Sequence, residues 1–407
     1  MIRSTRVTLI GGSLIIAVIL IMALTSSLHT SLAAGSPSRA LLPAHTHLAQ
    51  SYLPLSSFHL RGLDGPYHTQ DNLILGADNR PYLFHGVGRD GLEFDCAGDG
   101  HFDEQELSYM GLGNNRAHAT YWGANVVRLP LSEAFWLNGD STQKCSAAQY
   151  HALVKQTVDT LNKLDLNVIL DLQWTDAGGQ LGGAGAEWAM PDIDSVTFWQ
   201  QVAPIYANYS SVLFELYNEP HPASWDCWLN GCQVTNDQLP NLPTISYQAI
   251  GMQTLLNTVR NAGANNLALV AGTHWGYSLS QLPSYQLQGT NIVYDTHPYS
   301  YQDKNPATWD ASFGNLSAIY PVISAENGEY DCGTSYMDPL LTYFDAHDIG
   351  WVAWSWIGNG DACRYPRLIN DYNGTPTPGM GQMIYQRLQG YLTLLAQQEI
   401  PSKTKQS

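Results

Sequence analysis

The sequence predicts a single α/β domain, a (β/α)8 TIM barrel fronted by a short N-terminal hairpin. Three observations carry this expectation. Short apolar runs of strand length alternate with helix-length segments from Tyr82 onward, the rhythm of parallel βα units. Eight such runs occur. Polar and charged residues gather where the runs stop, and in a barrel that end carries the active site. The 407 residues are enough for one barrel, which takes ~250 residues or more. No internal repeat and no second module interrupts them.

The chain opens with Arg3 and Arg6, an apolar run from Val7 to Leu24, and the small-residue stretch Ser31-Leu32-Ala33. Residues 1–34 therefore read as a secretory signal peptide. The run is long for one, so an uncleaved membrane anchor is the alternative. Either exports the body. Residues 35–57 are rich in Ser, Pro and Ala and read as a tether, 58–397 as the catalytic domain, and 398–407 as a polar tail. Between Phe58 and Leu83, Gly and Asp-Asn turn signals separate brief apolar runs, which predicts a hairpin capping the barrel's base. The eight expected strands are Tyr82 to Val87, Asn125 to Pro130, Asn167 to Leu172, Val212 to Tyr217, Leu267 to Ala271, Ile292 to His297, Val322 to Ala325 and Trp351 to Trp356.

Composition narrows the function. With 35 acidic against 18 basic residues the net charge is −17, which argues against nucleic acid as a partner. Charged residues make up only 13%, whereas Trp and Tyr number 12 and 23. Flat aromatic faces with neutral polar groups suit a sugar-binding cleft, and equally an exported aromatic-rich globule. Six cysteines agree with export. Cys227 and Cys232 enclose a short loop and should pair; Cys96 with Cys145 and Cys332 with Cys363 is the simplest partition of the rest. No C-x-x-C pair and no His pair at ligand spacing appears, so no metal is expected. Asp95 to Glu106 approaches a calcium-loop pattern but has Ala97 at a ligand position, and reads instead as an acidic loop leading into a helix begun by Asp103.

The strand ends hold the chemistry. The fourth run, Val212 to Tyr217, breaks at Asn218-Glu219-Pro220, because proline cannot continue a central ladder. The seventh ends in Ala325-Glu326-Asn327-Gly328-Glu329. Glu219 and Glu326 then face each other across the barrel mouth. Such a pair suits glycoside hydrolysis, one carboxyl donating a proton and the other attacking the anomeric carbon. Glu219 needs a raised pKa for this, which burial beside a negative Glu326 would supply. Glu329, three residues on, is the competing candidate; Glu326 is preferred because it directly follows the strand. Arg128, ending the second run, needs an anionic partner and is expected to hold a carboxylate charged. Tyr299 is placed to hydrogen-bond the nucleophile, and His297 to orient substrate or the acid. Trp174 and Trp275, close after strands, are the best candidates to line the cleft among Trp122, Trp136, Trp174, Trp188, Trp225, Trp228 and Trp275.

The set Val-Val-Arg-Leu-Pro, Leu-Tyr-Asn-Glu-Pro-His, His-Pro-Tyr, Ala-Glu-Asn-Gly-Glu and Trp-Ser-Trp, in this order, resembles glycoside hydrolase family 5, the large cellulase family of clan A. The resemblance runs from about Pro81 to Leu388. It implies a (β/α)8 barrel and retaining hydrolysis of β-linked glucans or related polysaccharides. On it Glu219 matches the acid/base, Glu326 the nucleophile, and Asn218 the residue contacting the sugar 2-hydroxyl. Arg128, His297 and Tyr299 match supporting positions, and Trp354 the platform under the reacting sugar. One departure stands out: Gln173 occupies the end of the third strand where the family usually has His. Glutamine can still bind a hydroxyl but does not titrate near neutral pH.

The expectation is thus an exported, monomeric endo-β-1,4-glucanase acting on polysaccharide, with no cofactor and no membrane contact unless the leader stays uncleaved. Mannan, xyloglucan or a β-1,3-linked glucan are alternative substrates. A surface sugar-binding protein that has lost catalysis is the alternative from another class.

Overall fold

The computed structural model describes residues 52–60, 62–112, 121–221, 223–236, 244–331, 333–358 and 365–398. The expected leader, all but the end of the tether, the tail past Gln398, and the third expected disulfide (Cys332 with Cys363) lie outside the described residues. Among the described residues no helix is long and apolar enough to cross a membrane.

Eight strands form the barrel: β1 His85–Gly88, β2 Val126–Ser132, β3 Asn167–Trp174, β4 Val212–Glu215, β5 Ala268–Ala271, β6 Ile292–Asp295, β7 Val322–Asn327 and β8 Gly350–Ala353. They pair in parallel in sequence order, and β8 closes on β1. The fold class expected from the sequence is therefore the one observed. Strand bounds differ where the rim bends. Tyr82 and Phe84 precede the ladder of β1 and turn into the barrel's base. β4 ends at Glu215, because the chain leaves the sheet and curls over the rim until the Asn218 amide meets the Leu172 carbonyl at 3.1 Å. β7 runs past its expected end and carries a register shift between Ser324 and Asn327 against β8. That bulge falls at Ala325-Glu326, and bulges re-aim side chains beside active sites.

Two cores sandwich the sheet. Inside the barrel, Val126, Ile169, Leu213, Leu269, Val293, Ile323 and Val352 stack, and Tyr67, Ile74, Tyr82 and Phe84 plug the N-terminal end. The Tyr67 ring lies 4.8 Å from that of Tyr82 and 5.0 Å from that of Phe84. The Tyr67 hydroxyl donates to Asn167 Oδ1 at 2.9 Å, which anchors the plug to β3. Tyr67 leads directly into the antiparallel hairpin of His68–Gln70 and Leu73–Leu75 expected at the base. Outside, helices bury apolar stripes against the strands. Ala147–Lys163 sinks Tyr150, Val154, Val158 and Leu161, and its start is fixed by a Ser146–Gln149 capping box.

The disulfides Cys96–Cys145 and Cys227–Cys232 form as expected. Along the calcium-like loop the carboxylates have protein partners. Asp99 accepts two hydrogen bonds from Arg89 and one from Tyr372, and Asp103 caps the helix Glu104–Ser108.

Candidate active site

The C-terminal ends of the strands converge on Arg128, which is fully buried on β2. Its Nε and Nη2 form a fork on Glu215 of β4, each at 2.7 Å. Nη2 also donates to Asn218 Oδ1 at 2.7 Å and lies 3.1 Å from Asp171 Oδ2 on β3. Nη1 donates to Glu326 Oε2 at 2.6 Å and to Gln173 Oε1 at 3.2 Å. A planar five-donor cation suits this multidentate task, which a lysine could not fill.

The remaining oxygen of Glu326 accepts from the Tyr299 hydroxyl at 2.5 Å. Glu219, four residues past β4, is held by His297 Nδ1 at 3.0 Å, while His297 Nε2 meets Asp295 Oδ2 at 3.0 Å. Gly276, at φ +64°, lies under the His297 ring, where a Cβ would come within 2.8 Å of the imidazole. The carboxylate oxygens of Glu219 and Glu326 approach within 4.8 Å of each other. These two, with His297, also approach metal-ligand spacing, but His297 uses both ring nitrogens on carboxylates.

Charge explains how so many acids coexist. Burial opposes a charge on His297, yet the carboxylates of Asp295, Glu215 and Glu219 outweigh it and hold the imidazole positive, well above its usual pKa. Burial also works against ionised Glu215, but Arg128 overrides it and draws the carboxyl down to about 2. Glu326 is raised by burial, and Arg128 offsets only part of this. Glu219 does not follow the expectation of a raised pKa. Burial pushes it up, but the hydrogen bond and charge of His297, then Lys304, pull it below the usual carboxylate range. The sequence could not show that a positive imidazole, rather than Glu326, would be its nearest charged neighbour.

The structure brings the sequence candidates Arg128, Gln173, Asn218, Glu219, His297, Tyr299, Glu326 and Trp354 into one site. The Trp354 ring stands 5.9 Å from the Arg128 guanidinium carbon and donates Nε1 to Tyr365 at 2.8 Å. Gly88 makes room for it, since a Cβ there would meet the ring at 2.5 Å. Trp174 is half-buried at the rim, 6.2 Å from the exposed Phe94 ring. Trp275 is half-buried and stacks on His221 with centroids 3.2 Å apart. Trp122, Trp136, Trp188, Trp225 and Trp228 belong to the core. Glu329, the competing carboxylate, is spent on structure: it accepts from the amides of Tyr336 and Met337 at the start of the helix Met337–Asp345.

Five site residues escaped the sequence reading: Asp171, Glu187, Glu215, Asp295 and Lys304. A signal existed for three of them, because Asp171, Glu215 and Asp295 are charges inside otherwise apolar strand runs. Lys304 lies in a connecting segment, yet it is buried, donating to the Trp275 and His297 carbonyls at 3.3 Å each.

Comparison with known proteins bears on the family and the fold. The sequence model described as cellulase (glycosyl hydrolase family 5) matches residues 114–360. An endoglucanase of Paenibacillus polymyxa is 23% identical over 354 residues, covering 75% of this chain and 82% of the relative. A mannan endo-1,4-β-mannosidase of Streptomyces lividans is 23% identical over 273 residues, covering 64% of this chain and 62% of the relative. Endoglucanase EG-II of Hypocrea jecorina is matched over only 57% of its length. The solved β-glucanase of Saccharophagus degradans shares the fold at TM-score 0.61 and 20% identity, covering 84% of this chain and 96% of that one. A Thermobifida fusca endoglucanase catalytic domain, solved with cellotetraose, gives 0.56 at 17% identity, covering 80% and 98%. A barrel whose strand ends assemble two opposed glutamates, and a family model spanning more than half of the sequence, lead to one conclusion: the chain belongs to glycosyl hydrolase family 5, the cellulase family, and is a glycoside hydrolase.

Proposed function

We propose that this is a retaining endo-β-1,4-glucanase, exported, with Glu326 as nucleophile and Glu219 as acid/base. The observation that carries the reading is the approach of the two carboxylates within 4.8 Å. Retaining enzymes keep the pair ~5–5.5 Å apart, whereas inverting ones leave ~6.5–9.5 Å for a water. Arg128 and Tyr299 each hold one oxygen of Glu326, which fixes its direction and favours the ionised form that attacks.

In the first step Glu326 bonds to the anomeric carbon while Glu219 gives its proton to the departing glycosidic oxygen. Glu219, now ionised, then takes a proton from water as that water displaces Glu326 from the sugar. Asn218, fixed by Arg128, stands beside the nucleophile to bind the 2-hydroxyl. Trp354 offers its face to the sugar ring, and Gln173 places a neutral amide where a titrating histidine would otherwise bind. A cellulose-type substrate is supported by the endoglucanases among the relatives and by neighbours solved with cellotetraose. Mannan is the second reading, favoured by the mannan-cleaving relatives.

Reducing-sugar release from a soluble cellulose derivative, mannan and mixed-linkage glucan, with Glu326→Gln beside the wild type, tests the proposal. Strongest release from the cellulose derivative, absent in the variant, is the expected result. Release chiefly from mannan keeps the mechanism and overturns the substrate. An active Glu326→Gln enzyme overturns the nucleophile.

A further inference from the structure

A third carboxyl enters the site from an unexpected direction. Glu187 lies on the loop after β3, and this loop is firmly held. Its neighbour Ala186 makes a two-way backbone bridge to Thr175, at 3.0 and 2.8 Å. On its other side Trp188 is fully buried, and its carbonyl accepts from the Tyr217 hydroxyl. The Ala189 carbonyl accepts from the His221 amide at 2.8 Å. Glu187 is thus delivered by a rigid segment. Its Oε1 accepts from Asn218 Nδ2 at 2.6 Å, and the carboxyl is in hydrogen-bond contact with Glu219.

Two carboxyls can share a hydrogen bond only if one of them carries a proton. Asn218 donates to one Glu187 oxygen, so the contact between Glu187 and Glu219 itself needs a proton from one of the two carboxyls. The charged groups that act on the pair are Glu326, His297 and Lys304, and the titratable hydroxyls of Tyr217, Tyr299, Tyr301 and Tyr330 interact with one or both carboxyls. Glu187 is half-buried; the burial of its carboxyl first, then the negative charge of Glu219, lifts it above the usual carboxylate range, while Glu219 itself is lowered.

We propose that Glu187 is the proton partner of the acid/base: Glu187 and Glu219 form a carboxylic acid–carboxylate pair that stores the proton delivered to the leaving group. The inference rests on the reading of Glu219 as acid/base. In the resting site the pair holds one proton. It crosses the shared hydrogen bond to Glu219 and passes to the glycosidic oxygen, leaving both carboxyls ionised. The proton that Glu219 removes from the incoming water restores the pair. Glu187 touches Asn218 and Glu219 and acts through them, so it is a positioning and proton-storing residue.

Glu187→Gln keeps the shape and a hydrogen-bond donor but cannot transfer a proton. On a soluble cellulose derivative, kcat should fall about tenfold or more, part of the roughly 10²–10⁴-fold that general acid catalysis contributes. KM should stay within about twofold, and the alkaline limb of the pH profile should move to lower pH, because Glu219 alone loses its proton earlier. On a 2,4-dinitrophenyl cellobioside, whose leaving group needs no proton, the variant should keep near-wild-type turnover. Glu187→Asp should restore part of the alkaline limb. Infrared difference spectra at neutral pH should show a protonated carboxyl in the wild type that is missing from Glu187→Gln. Superimposable pH profiles, equal losses on both substrates, or an unchanged carboxyl band would each overturn the pair. A wild type that cleaves no glucan yet loses the band in Glu187→Gln would overturn the functional reading and leave the pair standing.

Discussion

Arg128 on β2 reaches across the barrel mouth to Glu326 on β7, with Nη1 2.6 Å from Oε2. The same guanidinium grips Glu215 at 2.7 Å and meets Asp171 and Gln173 on β3, so one cation ties four strands together. Arg128→Lys would keep the charge but replace a fork by a point. We expect kcat to fall about 10²–10³-fold, the cost of losing one aligned electrostatic donor at a reacting group. Because the cation is kept, the loss of stability should stay below the ~3–5 kcal/mol that deleting one partner of a buried ion pair costs. Steady-state kinetics and urea unfolding of the variant check both figures, and an unaffected kcat would show that the Arg128–Glu326 contact is structural only.

The Tyr299–Glu326 hydrogen bond sets the acid side of the pH profile. Glu326 must be ionised to attack, and burial raises its pKa above 4.5. Activity should therefore decline as pH falls through a value higher than that of a free glutamate. A donor to the charged form lowers a carboxyl's pKa, so removing the Tyr299 hydroxyl must raise it further. Tyr299→Phe is expected to shift the acid limb of kcat/KM to higher pH and to leave the alkaline limb in place. Measuring both limbs decides it, and a shift of the wrong sign refutes the assignment.

His85 predicts an acid sensitivity unrelated to catalysis. Both its ring nitrogens are buried without a hydrogen-bond partner, and the ring stacks on Tyr391 at 4.1 Å. Burial first, then the charge of Arg387, lowers its pKa from 6.5 to about 3. The unfolded chain therefore takes up a proton below pH 6.5 that the folded chain refuses. Stability is lost from there downward until about 3, at about 1.4 kcal/mol per pH unit. Urea unfolding of wild type and His85→Phe across this window should show the shallower pH slope in the variant. Equal slopes would mean that the histidine is protonated in place.

The two disulfides among the described residues should differ in worth. Cys96–Cys145 closes a span of 49 residues and Cys227–Cys232 one of only 5. Chain-entropy arguments give about 4 kcal/mol for the first and about 2 kcal/mol for the second. Thermal melts of the paired Cys→Ser variants should rank in that order, with the long-range variant melting lower.

The sequence alone determined the barrel. Apolar strand runs at regular spacing, each ending in polar residues, leave little else for a chain of this length to form, and the motifs at those ends named both glutamates. Periodicity and turn chemistry are local properties, so they are legible without coordinates. The charge balance of the site was not. Glu215, Asp171 and Asp295 are far apart in the chain and become a network only because β2, β3, β4 and β6 close around Arg128 and His297. Burial lifts Glu326, while the positive His297 outweighs burial at Glu219 and lowers it. Glu187 carries no motif and is distinguished only by the loop that sets it against Asn218 and Glu219. Electrostatic energy depends on distance and dielectric, and both exist only once the chain has folded.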